Sequence, residues 1–452
     1  MKKFFSIILC CVLFVSLFAL AGCGEIVLKG GPASTDAVTD NGSLCVKKGN
    51  YLYFVNGYIS SSSLSGKDNN YGTAKNGAIY RAELKNNELM YDISTDDDGN
   101  EVKTLKNVEL LVPKVAGFEY TDLHIFGNSL FFTSPNTEKD NTGKVRFDLT
   151  DVFVVSINGG KITKVANALN ITSADQINYN FINGKVFVTF IKDSKLYNAC
   201  VNGTKVESTN CISESCSSFG TFEQSQYVYY TRSYKDGENS TNGNVFCKAD
   251  LTNNQETIIR KDNETTYSIK KVSSKQIYYT KTDSLTTNAY IYGLSIDDLE
   301  TEKQYTIVSY SSNQYIHDLE QENNVYILVS NNSKFLRITG IDNIETDIVE
   351  LYDGEFTYLG AYGQFVYGKD ADGNIVRINL DNKNKEILLE KNDNLSFEMA
   401  QNFDYETRYI YYYVKYTGEN DQSGYYLNRL NLSDKSTELV GKLLDKHTKS
   451  EK

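Results

Sequence analysis

The first residue whose neighbours dictate a chemistry is Cys23. Lys2 and Lys3 precede an apolar run from residue 4 to residue 20, and the run ends in Leu20-Ala21-Gly22-Cys23. A basic end, a greasy middle and small residues before a cysteine describe an export signal. The tetrapeptide resembles the box cut by lipoprotein signal peptidase, after which the Cys23 thiol is acylated. Each buried methylene then contributes roughly 0.8 kcal/mol to membrane affinity, and two or more acyl chains hold a protein durably. A retained membrane span is the alternative, but the run is shorter than the roughly 20 residues a bilayer requires. Residues 1–22 are therefore expected to be removed. The rest is expected to be lipid-anchored at the cell membrane through Cys23 and to face the extracytoplasmic side.

Other reactive residues are less organised. The three histidines, His124, His317 and His447, are far apart in sequence, and no GxSxG, HExxH or phosphate-cradling glycine loop occurs. His124 and His317 read as packing residues of strands or loops. Asp96-Asp97-Asp98-Gly99-Asn100 and Asp370-Ala371-Asp372-Gly373-Asn374 resemble the opening of a calcium loop, yet neither has the closing Glu of an EF-hand, and Asp-Gly-Asn is ordinary turn chemistry. Past Cys23 there are five cysteines, Cys45, Cys200, Cys211, Cys216 and Cys247. A disulfide within the group at 200–247 and buried free thiols are both compatible with this spacing, whereas a four-thiolate zinc site normally needs closer pairs. No metal and no cofactor is expected.

Charge narrows the partners. The chain carries a formal net charge of −12, and loss of Lys2 and Lys3 makes the remainder more acidic still. Phosphate binding needs clustered cations, so nucleic acid is not an expected partner. With 34 Tyr, 22 Phe and no Trp, aromatic residues supply a large core, and only Pro32, Pro113 and Pro135 interrupt backbone pairing.

The elements that must position any site repeat. Short β-branched and aromatic runs occur at 51–55, 130–133, 186–190, 227–231, 277–280, 325–328, 365–367 and 409–414. Each is followed by a second run, at 79–84, 152–157, 196–201, 245–251, 291–296, 335–338, 375–380 and 426–430. Turn residues such as Asn158-Gly159 and Asn202-Gly203 leave the second run, and weaker strands flank the pair. The unit thus has four strands and recurs every 40 to 55 residues after the first, the period of a propeller blade. Runs 51–55 and 409–414 are apolar or aromatic on both faces, where a sandwich strand would alternate with polar residues. Such strands must be covered twice, as radially packed blades are. The expectation is an all-β propeller of eight four-stranded antiparallel blades, with seven as the alternative. It spans residues 43–442, between a flexible tether at 23–42 and a polar tail at 443–452.

Tyr229-Tyr230-Thr231, Tyr278-Tyr279-Thr280 and the string Ile79-Tyr80-Arg81-Ala82-Glu83-Leu84 resemble the YWTD propeller repeat, in which a Tyr-Trp-Thr-Asp strand precedes an Ile-x-Arg-Ala-x-Leu strand. The chain is similar to the low-density-lipoprotein-receptor-related-protein-like propeller lipoproteins of Gram-positive bacteria, a family whose function is uncharacterised. It departs from the repeat in having no Trp and in placing Arg232 and Lys281 where Asp belongs. That departure removes the six-blade count of YWTD domains as a guide.

Length varies mainly between the first and second runs: at 56–77, 134–150, 232–243 and 417–424. In a closed ring the last unit touches the first, so three long loops would share one rim. Tyr58, Asn69, Asn70, Tyr71, Asp140, Lys144, Tyr234, Asn420 and Tyr425 are the candidate binding residues, since loops on a rigid scaffold often carry function. The reading is an envelope-tethered binding module for protein or glycan. A polysaccharide hydrolase or lyase using carboxylates near the central channel is the alternative.

Overall fold

The computed structural model describes residues 26–440 apart from breaks, the longest at 58–76, 283–290, 306–314, 340–346, 392–398, 401–408 and 417–423. Cys23, Tyr58, Asn69, Asn70, Tyr71, Asp140, Lys144, Asn420 and His447 lie outside the described residues, as does the side chain of Tyr425.

Eight four-stranded antiparallel sheets follow one another along the chain, each with its strands in sequence order. Blade 1 comprises Cys45–Lys48, Tyr51–Asn56, Ala78–Glu83 and Val108–Val112. Blade 2 opens at His124–Phe126, blade 3 at Ile177–Ile182, blade 4 at Ser218–Gly220 and blade 5 at Thr266–Val272. Blades 6, 7 and 8 open at Tyr315–Gln321, Thr357–Tyr362 and Met399–Ala400. A hairpin, Tyr91–Thr95 with Glu101–Leu105, is inserted before the last strand of blade 1; the carboxylates of the first acidic cluster, Asp96, Asp97 and Asp98, lie outside the described residues. The molecule is an all-β propeller.

Two-sided burial is visible residue by residue. Along Tyr51–Asn56, Leu52 and Phe54 join one apolar cluster, while Tyr51, Tyr53 and Val55 join another. The first cluster continues into blade 8 through Tyr409, Tyr411, Tyr413 and Leu427; the second continues into blade 2 through Leu130 and Phe132. Alternating side chains of one strand therefore fill two different seams, the consequence of the period-2 pleat when both faces are covered.

Among the described residues, no strand crosses from one terminus to complete the other's blade. Side chains close the ring instead. Tyr413 Oη donates to Gly57 O at 3.2 Å, Tyr91 Oη to Leu439 O at 3.2 Å, and Tyr409 Oη to Glu88 at 2.9 Å.

First strands of neighbouring blades also touch. His124 stacks on Tyr179 with centroids 4.2 Å apart, and burial pushes its imidazole down to about 3. It is a neutral packing residue. The unfolded chain protonates this group near 6.5, so its contribution to stability is complete above that pH. It is lost as pH falls toward 3, with a slope of at most about 1.4 kcal/mol per pH unit. Chemical denaturation of a His124→Phe variant between pH 6.5 and 4 should show a shallower loss than the parent; equal slopes would exclude His124 as the source.

The closure seam makes a second expectation. Leu427 has no exposed surface, and cutting it to Ala should cost roughly 2–5 kcal/mol. Hydrogen exchange should then rise in Tyr51–Asn56 and Gly424–Asn431 before it rises in blades 3 and 4.

Candidate functional site

In three blades one cross-strand row recurs on the face turned to the next blade. In blade 1 it is Tyr53, Arg81 and Glu109, on the second, third and fourth strands. Blade 7 repeats it as Tyr367, Arg377 and Glu386, and blade 8 as Tyr411, Arg429 and Glu438. Each guanidinium also lies over the ring two residues earlier on the second strand: 4.6 Å from Tyr51, 4.5 Å from Phe365 and 3.8 Å from Tyr409. The pairs to the carboxylates are close, with Nε to oxygen at 2.8, 2.7 and 2.9 Å. A cation held between an aromatic face and a carboxylate keeps its charge satisfied away from water.

These rows bond the next blade's turn between third and fourth strands. Arg81 reaches Asn158 Oδ1 at 2.8 Å, Lys435 reaches back to Glu386 at 2.9 Å, and Arg429 reaches Glu88 at 3.4 Å. Blade 4 keeps a cation there, Lys248, 4.8 Å from the Tyr227 ring.

Blades 2 and 5 have Val154 and Gly293 at this position, and blade 3 alone has an amide. The blade 3 row is Thr189, Asn198 and Asn210. Asn198 donates from Nδ2 to Leu251 O at 2.7 Å and to Asn254 Oδ1 at 3.0 Å, both in the blade 4 turn, which fixes the amide. Its Oδ1 and the Thr189 hydroxyl are buried without a hydrogen-bond partner. Beside them a cleft of about 360 Å³ opens between blades 3 and 4. Lys185 and Glu207 at its edge pair at 2.7 Å, and the remaining Glu207 oxygen accepts from Asn202 at 3.0 Å. The Lys185 hydrogen bond holds the Glu207 carboxyl below its ordinary range.

The N-terminal segment is the second departure from expectation. Residues 26–42, read as part of a flexible tether, lie against blades 1 and 2. Leu28 N donates to Asn158 O at 2.8 Å and Gly160 N to Ile26 O at 2.6 Å. Arg81 donates to Lys29 O and Gly30 O, and Lys48 Nζ to Asp36 O and Gly127 O. Gly159 is required where the segment crosses: it has φ +84°, and a Cβ would lie 2.0 Å from Ile26 O. Composition alone suggested a tether; backbone groups satisfied by the blade turns make it a strap.

The predicted rim is described only in part. Tyr234 is half-buried, with its ring against Gly243 and 4.2 Å from Lys261 Nζ, so it packs across its own hairpin. Tyr425 lies in the third strand of blade 8, opposite Lys415. The long loops leave the ends of second strands at Asn56, Pro135 and Tyr416, on the consecutive blades 1, 2 and 8.

The remaining candidates resolve chemically. The Asp370 carboxylate accepts from the Asp372 and Asn374 amides at 3.1 and 2.9 Å and from Lys385 at 3.0 Å. Burial would raise this carboxyl, and these bonds outweigh it and hold it low. It is the cap of a turn. All five cysteines past Cys23 are free thiols; burial raises Cys216 and Cys247 to about 12, where they stay protonated and inert. No group of three metal-ligating side chains occurs among the described residues. Among the described first strands, which line the axis, only Asp318 and Glu320 of blade 6 carry carboxylates.

The cation row was legible in principle. Arg81, Lys248, Arg337, Arg377 and Arg429 occupy one position of the second-run repeat, where blades 2 and 5 have Val154 and Gly293, neither with a side chain that hydrogen-bonds, and only blade 3 has an amide, Asn198.

No protein-family model and no curated protein matches the sequence. Solved β-propeller structures do. An oligogalacturonate lyase from Vibrio parahaemolyticus is 9% identical, with a TM-score of 0.41 over 72% of this chain and 93% of the lyase. The β-propeller domain of the Trilobed protease from Pyrococcus furiosus is 10% identical, with a TM-score of 0.42 over 80% of this chain and 100% of that domain. Prolyl oligopeptidase B from Galerina marginata is 10% identical, with a TM-score of 0.44 over 71% of this chain and 49% of its own, so this chain spans about half its length. At such identities none of these activities follows for this chain.

Arg81 carries the strap and the seam together. Arg81→Ala should destabilise the fold by roughly 1–3 kcal/mol, because the strap's carbonyls and Asn158 lose their donor while the partly exposed Glu109 is left to water. Hydrogen exchange should deprotect residues 26–31 first; unchanged protection there would refute the strap's dependence on this side chain.

Proposed function

We propose that the protein is a lipid-anchored extracytoplasmic propeller that binds, without transforming, a protein or glycan of the cell envelope. The position of the strap carries this reading. From Ile26 at the blade 2 turn it runs past Gly127 to Asn41, which bonds Ile125 in the first strand of blade 2. All of these contacts lie on the edge formed by turns between first and second, and third and fourth, strands. Cys23 stands three residues before Ile26, a reach of at most about 11 Å. An acylated Cys23 would therefore bring that edge toward the lipid. The opposite edge, from which the long loops of blades 1, 2 and 8 depart, would face outward, with Tyr58, Tyr71, Asn420 and Tyr425 among the residues presented. A YWTD-like ancestry is part of the proposal, supported by the Ile-x-Arg-Ala-x-Leu string, whose Arg81 holds a seam.

The absence of Trp makes the orientation measurable. In vesicles carrying the lipidated chain, a spin-labelled lipid should quench an Asn128→Trp probe more strongly than an Asp372→Trp probe on the opposite edge. Equal or reversed quenching would reject the orientation. On a glycan array, binding without product is expected, and replacing residues 60–74 by a Gly-Ser linker should weaken it; released product would support the hydrolase or lyase reading instead.

A further inference from the structure

We propose that the cleft between blades 3 and 4 is a second binding site, specific for a neutral, hydroxyl-rich ligand such as a mono- or disaccharide. It is separate from the loop-bearing rim. The cleft is lined by the turn at Ile182 and Asn183 and by the blade 4 turn at Leu251 and Thr252, which lie on the strap's edge of the propeller.

The argument starts from what is missing. Where blades 1, 7 and 8 insert an arginine clamped between ring and carboxylate, blade 3 has Asn198 between Thr189 and Asn210. A shorter side chain leaves the seam unfilled, and about 360 Å³ is within the range of small-ligand sites. A void alone would be a packing defect, but its polarity is specific.

Asn198 is 1% exposed, and its orientation is not free, because both Nδ2 contacts go to acceptors on blade 4. The Oδ1 must therefore be the unpaired atom, and it can only accept. Leaving a buried acceptor unpaired costs free energy that a ligand hydroxyl would recover. The ligand's charge follows from the rest of the lining. Lys185 and Glu207 neutralise each other, so no free cation offers itself to an anion, and an amide oxygen repels a carboxylate. Ser208 and Asn210 add hydroxyl and amide groups, while Phe187 supplies an apolar surface for a ring's C–H face. Donor hydroxyls around a neutral ring satisfy all of these demands; a uronate or phosphate does not.

The test uses the purified full-length chain, titrated calorimetrically with neutral mono- and disaccharides, with a uronate, and with an uncharged dipeptide. At least one neutral saccharide should bind, and the uronate should bind more weakly than its neutral parent. Asn198→Arg restores the cation of blades 1, 7 and 8 and should abolish binding. Asn210→Arg, on the exposed outer strand, obstructs the mouth without touching the buried seam and should weaken binding by at least about tenfold, more than one neutral hydrogen bond normally accounts for. If Asn198→Arg does not fold, Asn210→Arg decides alone. Absence of saccharide binding, preference for the uronate or dipeptide, or parental affinity in a folded Asn210→Arg variant would each overturn the proposal.

Discussion

Covering both faces of every sheet is the constraint that organises this molecule. A strand such as Tyr51–Asn56, all of whose residues are buried, has no solvent side on which to place polar groups. Its alternate side chains must be complementary to two different neighbours at once. That requirement sets the aromatic content, since large rings fill the widening gap between radial sheets. It also explains how, among the described residues, blade 8 meets blade 1 without exchange of a strand. The two meet through an apolar cluster, as blades 1 and 2 do, here bordered by tyrosine hydroxyls that find carbonyls and Glu88.

Polar groups enter the seams only on restrictive terms. A buried arginine is costly unless every part of it is engaged, and Arg81 shows how that is met: a ring on one side, Glu109 on another, and the strap's carbonyls with Asn158 at the tip. Glu109 itself keeps 37% of its side chain exposed, so water shares the charge. The same solution in blades 7 and 8 makes three seams into rigid charged joints. Blade 3 uses neutral amides for the equivalent bonds to blade 4. Asn180 and Asn198 both donate to blade 4 carbonyls, and each leaves an acceptor oxygen unpaired. Substitution at one repeat position thus makes the joints chemically different: a clamped arginine in blades 1, 7 and 8, Val154 in blade 2, Gly293 in blade 5 and an amide in blade 3.

The strap shows how far composition can mislead. Gly, Ser, Thr and Asp normally mark a mobile linker, because they cannot bury enough apolar surface to fix themselves. Here the immobilising groups belong to others: the Asn158–Gly160 turn, the Arg81 fork and Lys48 satisfy the strap's backbone, and Gly159 lets the chains approach. The strap therefore becomes part of the scaffold, and its route relates the anchoring terminus to one edge of the ring.

What the sequence determined by itself was everything that is local along the chain. Strand pairs within a blade join residues a few positions apart through turns with recognisable Asn-Gly chemistry, so the eight repeats, their four strands and their two greasy faces could be read directly. The seams could not. Arg429 and Glu88 are 341 residues apart, and Arg81 and Asn158 are 77 apart, so nothing in either neighbourhood announces the contact. Asn198 looks like any strand asparagine until its register places it where other blades hold a cation, and Tyr234 looks like a loop residue until Gly243 makes room for its ring. Pairing within a sheet obeys a short-range hydrogen-bond periodicity, whereas packing between sheets depends on which side chains meet across a gap, and only the assembled ring decides that.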